Sequence, residues 1–355
     1  MQKAAAAMVL RWGIIGCGDV TEVKSGPAFQ SAENSKLVAV MRRDAQKAKD
    51  YAERHQVPKW YNTLEGILTD PEVDAIYVAT PPGSHLEVAL EVAKHGKPCY
   101  LEKPMARNLT ESMEIAKAFE LLSIPLFVAY YRRSYKRFLR LKALLDSGRY
   151  GQVSSVQYRL ERPAPAPGAT PAGWRQDASI SGGGLFVDLG SHALDLLDFL
   201  FGPLQLRGAA ARRPEADPAE PEDSVVVAFA CGEQQTTGTG VWNFHSTESS
   251  DVLEITTSNA KILLPDFMNG RQVSVKSPDG TVLEEWVEAP PSTVQLPMIQ
   301  SVTTAILLGD PSLCASDATS ALRTARYMDD ALETFYGGRA DAFWKRVESW
   351  GVNSK

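Results

Sequence analysis

The sequence predicts an α/β protein: a doubly wound parallel sheet first, then an α+β part with a large, mostly antiparallel open sheet. Three observations lead there. Short apolar runs alternate with helix-period segments through about residue 146, and a glycine-rich turn directly follows the first run. Beyond Ser147-Gly148-Arg149-Tyr150-Gly151 the rhythm changes to closely spaced β-like stretches broken by glycine and proline. Alternation of strand and helix gives a parallel sheet covered on both faces, whereas runs of strands followed by helices give segregated layers.

Taken in order, residues 9–15 read as a strand and 20–30 as a helix. A strand over 36–41 leads to a helix over 44–55 whose N-cap is Asp44, a residue type that accepts the free N–H groups of a first turn. Residues 74–79 are a nearly continuous apolar strand, followed by a helix over 84–95. Strands over 98–101 and 126–129 flank a helix over 109–122, and a further helix falls near 133–146. The second half opens with a strand over 153–160 and a proline-rich excursion at Pro163, Pro165, Pro167 and Pro171. After a helix carrying Asp188 and His192 come strands over 204–211, 224–230, 235–243, 252–257, 261–264, 273–277 and 282–287. Pro278-Asp279-Gly280 between the last two is a hairpin signal, and helices near 293–308 and 316–336 close the pattern. The expected organisation is an extension over 1–8, a nucleotide-binding domain over 9–130 and a substrate-binding, oligomerising domain over 131–355. The C-terminal helix is a candidate to return to the first domain.

A net charge of −6 in 355 residues argues against a general nucleic-acid or anionic-membrane binder. No apolar run approaches the ~18 residues that span a bilayer, and the alanine-rich start is too short for a secretory signal. Cys17, Cys99, Cys231 and Cys314 lie far apart with no Cys-x-x-Cys pair, which points to reduced thiols in a cytoplasmic protein and to no metal site.

Gly13-Ile-Ile-Gly16-Cys17-Gly18-Asp19-Val20-Thr21 follows a strand and opens a helix, the context in which a glycine loop binds a dinucleotide. Gly16 allows the tight turn, and Gly18 lets backbone approach a pyrophosphate. Thr21 takes the third glycine position. Arg42 occupies the slot at the end of the second strand where an acidic residue would hold a ribose, and Arg43 follows it. With Asp44 accounted for as a helix cap, the two arginines favour a 2′-phosphate, hence NADP over NAD.

Ser181-Gly182-Gly183-Gly184 precedes Asp188 and His192, four residues apart. On a helix that spacing stacks both side chains on one face with Cβ atoms about 5–6 Å apart. A carboxylate beside an imidazole fixes its tautomer and makes it a proton acceptor near neutrality. Asp195 continues the series, either behind the site or in a solvated or capping role.

The glycine loop, Ala79-Thr80-Pro81-Pro82-Gly83-Ser84-His85, Glu102-Lys103-Pro104 and the glycine-run helix with Asp188 and His192 together resemble the Gfo/Idh/MocA oxidoreductase family, from about residue 9 to 336. The resemblance implies a Rossmann domain, an open-sheet second domain, and NAD(P)-dependent oxidation or reduction of sugars, polyols or related cyclic alcohols. Lys103 matches the family's catalytic lysine and is expected to polarise the reacting oxygen, with a Lys103–Pro104 bond that is a candidate for cis. His192 is then the acid/base, oriented by Asp188. The cofactor set extends to Thr80, Pro81, Pro82, His85, Glu102, Lys103, Arg132, Trp174 and Arg175. Lys103, Arg175, Asp188, His192 and Gln295 form the substrate set, and loops over 163–174 and 259–271 set selectivity. Tyr131 stands where relatives often have an asparagine, and Gln295 where they often have a histidine. The implied partners are a small-molecule substrate and further copies of the chain, joined as a homodimer or homotetramer through the second sheet. Two alternatives stay open: a trans-dihydrodiol-type dehydrogenase of the same family, and a non-catalytic NAD(P)-binding regulator.

Overall fold

The computed structural model describes residues 8–164, 173–213 and 221–339. It divides into two compact units. One holds the residues up to Met105 with Glu111–Ser134 and Pro291–Ala321; the other holds Ala106–Thr110, Tyr135–Pro290 and the residues from Leu322 on.

The first unit is built on six strands: β1 (Leu10–Ile15), β2 (Ser35–Met41), β3 (Lys59–Tyr61), β4 (Ala75–Val78), β5 (Cys99–Leu101) and β6 (Leu126–Val128). Their order is β3-β2-β1-β4-β5-β6, every pair parallel. β4, β5 and β6 are buried at every position, as parallel strands covered on both faces require. The order reverses between β1 and β4, the switch point outside which open α/β sheets take their ligands.

The single helix expected over 20–30 is two helices, Asp19–Val23 and Gly26–Ser31. Pro27 lacks the N–H that would continue the first and starts the second instead. The Asp44 cap forms as read, its carboxylate accepting from the Lys47 N–H at 3.1 Å. Edge strand β3 and the helix Leu64–Leu68 were not legible. Lys59 pairs with Asp70 at 2.9 Å and Tyr61 Oη donates to the same carboxylate at 2.9 Å, so tertiary bonds secure that edge. The helix Leu296–Leu308 belongs to this unit and packs on the helix Gly26–Ser31.

The second unit carries eight strands: β7 (Val153–Pro163), β8 (Leu204–Arg212), β9 (Ser224–Cys231), β10 (Thr236–Ser246), β11 (Ser250–Thr257), β12 (Lys261–Pro265), β13 (Gln272–Lys276) and β14 (Val282–Val287). The order is β14-β13-β12-β11-β7-β10-β9-β8. Only β7 and β10 run parallel; the other pairs are antiparallel. The inward face is aromatic, with Trp242 edge-on to Tyr158 and Phe186 at centroid distances of 5.4 and 4.9 Å.

Phe186 opens the segment that leads into the helix Ser191–Phe201, which is buried along nearly its whole length. Its carboxylates are tied to the helix Ala318–Tyr336. Asp198 accepts two bonds from Arg323, at 2.6 and 2.8 Å, and one from Tyr327 Oη at 2.7 Å. Asp195 accepts from Thr324 Oγ1 at 3.4 Å, so the solvated role considered for it is replaced by a buried one. Among the described residues no helix is long and apolar enough to cross a membrane, and all four cysteines are buried free thiols.

Candidate active site

In the first unit the expected cofactor residues follow the carboxyl ends of five adjacent strands, β2, β1, β4, β5 and β6. Gly16 has φ +90°, and a Cβ there would stand 2.7 Å from Thr80 Cγ2 and 2.9 Å from the Thr80 nitrogen. Only glycine lets the two loops approach this closely. At Gly18 an added Cβ would meet nothing nearer than 3.9 Å, which leaves backbone facing open space. Thr21, in the third glycine position, turns its hydroxyl back to bridge the Gly18 N–H at 3.0 Å and the Gly18 carbonyl at 2.7 Å. Asp19 is exposed and Val20 half-buried at the head of the following helix, while Cys17 is buried with its thiol pKa pushed up to about 11 by desolvation.

Arg42 reaches back from the end of β2 to donate to the Cys17 carbonyl at 3.1 Å, which places a guanidinium beside the glycine loop. Arg43 is exposed. The Thr80 hydroxyl, next to Gly16, is buried and has no hydrogen-bond partner. A buried polar atom without a partner is rare. Together with the open side of Gly18 it fits a ligand with polar groups lying along this edge, as a dinucleotide would. Pro81 and Pro82 follow, Pro82 opening a single 3₁₀ turn.

Three residues expected to meet ligands at this edge have partners inside the protein. His85 was expected to touch the cofactor, but it is wholly buried. Its Nε2 lies 2.7 Å from the Thr80 carbonyl, and its Nδ1 lies 3.1 and 3.2 Å from the Pro104 and Met105 carbonyls. Its ring therefore staples the loop after β4 to the loop after β5, and burial lowers its pKa. Glu102 was expected to face the cofactor as well. Its Oε1 instead accepts from Tyr77 Oη at 2.5 Å and Gln295 Nε2 at 2.6 Å, and its Oε2 accepts from the Lys103 N–H at 3.1 Å. Gln295, assigned to substrate, is fully buried with its amide engaged by Glu102 and, at 2.9 Å, by Tyr100 Oη. Lys103 itself is half-buried, and the Lys103–Pro104 bond is cis. Beyond β6, Arg132 stacks on Tyr131 and donates to its hydroxyl at 3.1 Å, while buried Arg133 holds the Ala315 carbonyl at 3.0 Å.

In the second unit Asp188 does not lie on a regular α-helix. Phe186–Gly190 is a π-helical turn that passes into the α-helix at Ser191. Such turns, with bonds to the fifth residue, concentrate at functional sites because they re-aim side chains. The glycine run before it is locked from behind: the Gly184 N–H donates to Glu222 at 2.8 Å, Tyr336 Oη donates to the same carboxylate at 2.5 Å, and Arg339 donates to the Gly182 carbonyl at 2.6 Å. Trp174, Arg175 and Asp188 come together here. Arg175 lies over the Trp174 ring at 4.6 Å, with its Nε 3.7 Å from Asp188 Oδ2. His192 is buried four residues further on. Of the loop over 163–174, residues 165–172 lie outside the described residues, and the stretch over 259–271 contains β12.

Tyr77, Tyr100, Glu222, Tyr336 and Arg339 were missed. Tyr77 left a signal, a hydroxyl in the otherwise apolar strand Ala75–Val78 that must find a partner once buried.

The strand order and glycine turn define a Rossmann-type dinucleotide-binding unit. Residues 10–130 match the model of the Gfo/Idh/MocA oxidoreductase family with its NAD-binding Rossmann fold, and residues 138–263 match a Gfo/Idh/MocA C-terminal domain. A Formosa agariphila protein named Oxidoreductase P35 is 36% identical over 309 residues, which cover 86% of this chain and 94% of that one. The chain belongs to the Gfo/Idh/MocA family of oxidoreductases. The trans-1,2-dihydrobenzene-1,2-diol dehydrogenase of Mus musculus is 32% identical over 201 residues, 55% of this chain and 57% of that one. Levoglucosan dehydrogenase, solved with NADH and levoglucosan, shares the fold with a TM-score of 0.79 at 20% identity, over 91% of this chain and 96% of that one. A 3-ketoreductase from Actinomadura kijaniata, solved with NADP, has a TM-score of 0.76 at 19% identity over 89% and 95% of the two chains.

Proposed function

We propose that the protein is an NAD(P)-dependent dehydrogenase or reductase acting on a carbinol or carbonyl carbon of a sugar, polyol or related cyclic alcohol, with NADP preferred. The bound nicotinamide supplies hydride exchange at its C4. The rest falls to the chain. Gly16, Cys17, Gly18, Asp19 and Val20 would carry the pyrophosphate, Arg42 and Arg43 the 2′-phosphate, and Thr80, Pro81 and Pro82 the nicotinamide half, with Arg132, Trp174 and Arg175 as further contacts.

Lys103 places an ammonium where negative charge develops on the reacting oxygen. In oxidation the hydroxyl O–H bond breaks, its proton passes to His192, and the C–O bond becomes a carbonyl as the carbon gives up hydride; reduction reverses each transfer. Asp188, beside Arg175, orients His192 and accepts from a substrate hydroxyl. A positioned acid/base contributes on the order of 10²–10⁴-fold in rate. The observation that carries this reading is Lys103 following β5, beside a loop whose Thr80 hydroxyl is buried without a partner.

The test is a turnover screen with NADP and NAD against levoglucosan, free sugars, polyols and a benzene trans-dihydrodiol. Lys103→Ala and His192→Ala should each lower kcat at least a hundredfold while cofactor affinity stays within about threefold. Near-normal turnover in both would end the assignment of these two residues, and a wild type that binds cofactor but turns over none of the alcohols would leave a cofactor-binding regulator. The dihydrodiol belongs in the screen because relatives carry that name at 26–32% identity. Self-association through the outer face of the second sheet, where Val226 is 43% exposed, completes the proposal, with a reducing cytoplasm as the setting for four free thiols.

A further inference from the structure

Glu102 is almost completely buried in the first unit, and a carboxylate there requires donors on its lone pairs. Two converge on Oε1: Tyr77 Oη at 2.5 Å and Gln295 Nε2 at 2.6 Å. The orientation of the Gln295 amide is fixed by chemistry. Tyr100 Oη donates to Gln295 Oε1 at 2.9 Å, and the reversed amide would point a carbonyl oxygen at the carboxylate. With Oε1 engaged, Oε2 faces the backbone and accepts the Lys103 N–H at 3.1 Å. Gln295, 193 residues from Glu102 in the chain, thus bears on the backbone of Lys103 through one carboxylate.

We propose that Gln295 and Tyr77 are positioning residues: they hold Glu102 so that its second oxygen fixes the main chain of Lys103. This rests on the reading of Lys103 as the group that meets the substrate. The hydrogen bond on Oε2 sets where the Lys103 side chain starts, and a misplacement of about 1 Å near the chemistry costs on the order of a hundredfold in rate.

Gln295→Glu keeps the shape, and its oxygen still accepts from Tyr100. It replaces the amide donor by an acid that donates to Glu102 only while protonated. Two carboxyls at hydrogen-bond distance share one proton, so the variant acquires a titration that the wild type lacks. The experiment compares Gln295→Glu, Gln295→Met and Tyr77→Phe with wild type from pH 5.5 to 8.5. One readout is hydrogen–deuterium exchange of the peptide containing the Lys103 amide, in protein without cofactor. The other is kcat on whichever screened alcohol is turned over. Normalising each value to wild type at the same pH removes titrations common to all the proteins, that of His85 among them, while burial holds the Tyr77 phenol, which also senses Glu102, well above its ordinary value.

For Gln295→Glu the expected result is near-wild-type protection and kcat at pH 5.5. At pH 8.5 protection of the Lys103 amide is lost and kcat falls at least tenfold, with cofactor KM within about threefold. Gln295→Met should be impaired at every pH. Tyr77→Phe should lose part of the protection, and it carries the test if Gln295→Glu unfolds at high pH. Wild-type protection and pH-independent ratios in all three variants would overturn the proposal. Lys103→Ala in parallel separates the two failures. Near-normal turnover in it sinks the catalytic reading of Lys103, whereas an inactive Lys103→Ala beside an unaffected Gln295→Glu sinks only the positioning.

Discussion

At the scale of single residues, charged and neutral polar side chains divide sharply in how much the sequence reveals. Asp44 was read from position alone as a helix cap and is found so, and Arg42, read at the end of β2 as a 2′-phosphate contact, lies beside the glycine loop. His85, Glu102 and Gln295 were assigned to ligands because the resemblance brings them near one. Each is found buried against groups inside the protein, and a sequence does not display where a buried amide or imidazole finds its partners. On the proposed preference for NADP, Arg42→Ala should weaken NADP binding by about ten- to a hundredfold, the worth of one or two hydrogen bonds to a charged group. NAD binding should change little. Equal losses for both nucleotides, measured by fluorescence titration, would assign Arg42 to holding the glycine loop instead.

At the scale of elements, the long strands and helices were legible because burial imposes a period on them, and the failures fall where a local device overrides the period. Pro27 splits a helix that apolar spacing alone would run together. The π-helical turn at Asp188 breaks the four-residue spacing from which an α-helix was read there, and Phe186, at its start, packs on Trp242. β11 offers a test of packing against charge. Asp251 accepts from the Met268 N–H at 2.9 Å and from Tyr158 Oη at 3.2 Å. Burial, together with the neighbouring carboxylate of Asp266, pushes its pKa up to about 6. The folded state therefore keeps a proton that the unfolded chain has already released, and this contribution to stability is present near pH 4, declines as pH rises toward about 6, and is absent above. Asp251→Asn should remove that slope, gaining about 1–2 kcal/mol relative to wild type between pH 4.5 and 7.5. Parallel thermal-unfolding profiles of the two proteins over that range would refute the assignment.

At the scale of the whole molecule, the fold class was legible because the change from alternating elements to consecutive strands is a property of long stretches, insensitive to errors at any boundary. Membership of the first unit was only partly so. The segment Pro291–Ala321 supplies Gln295 to Glu102 and packs Leu296–Leu308 on Gly26–Ser31, although the whole strand-rich part intervenes. A fragment ending at Ser134 should thus lack both a donor for a buried carboxylate and the helix that packs on Gly26–Ser31. It is expected to bind NADP at least tenfold more weakly than the full chain, with little resistance to proteolysis. Adding the peptide 291–321 in trans should restore part of that resistance. A fragment as stable and as tight-binding as the full chain would show the returning segment to be dispensable.

The same arrangement has a consequence for synthesis on the ribosome. The nucleotide-binding sheet emerges early, yet its last buried donor is 193 residues from the carboxylate it serves. The glycine run before Asp188 likewise waits for Tyr336 and Arg339. Each unit therefore completes its buried hydrogen bonds only after a segment far along the chain has been made.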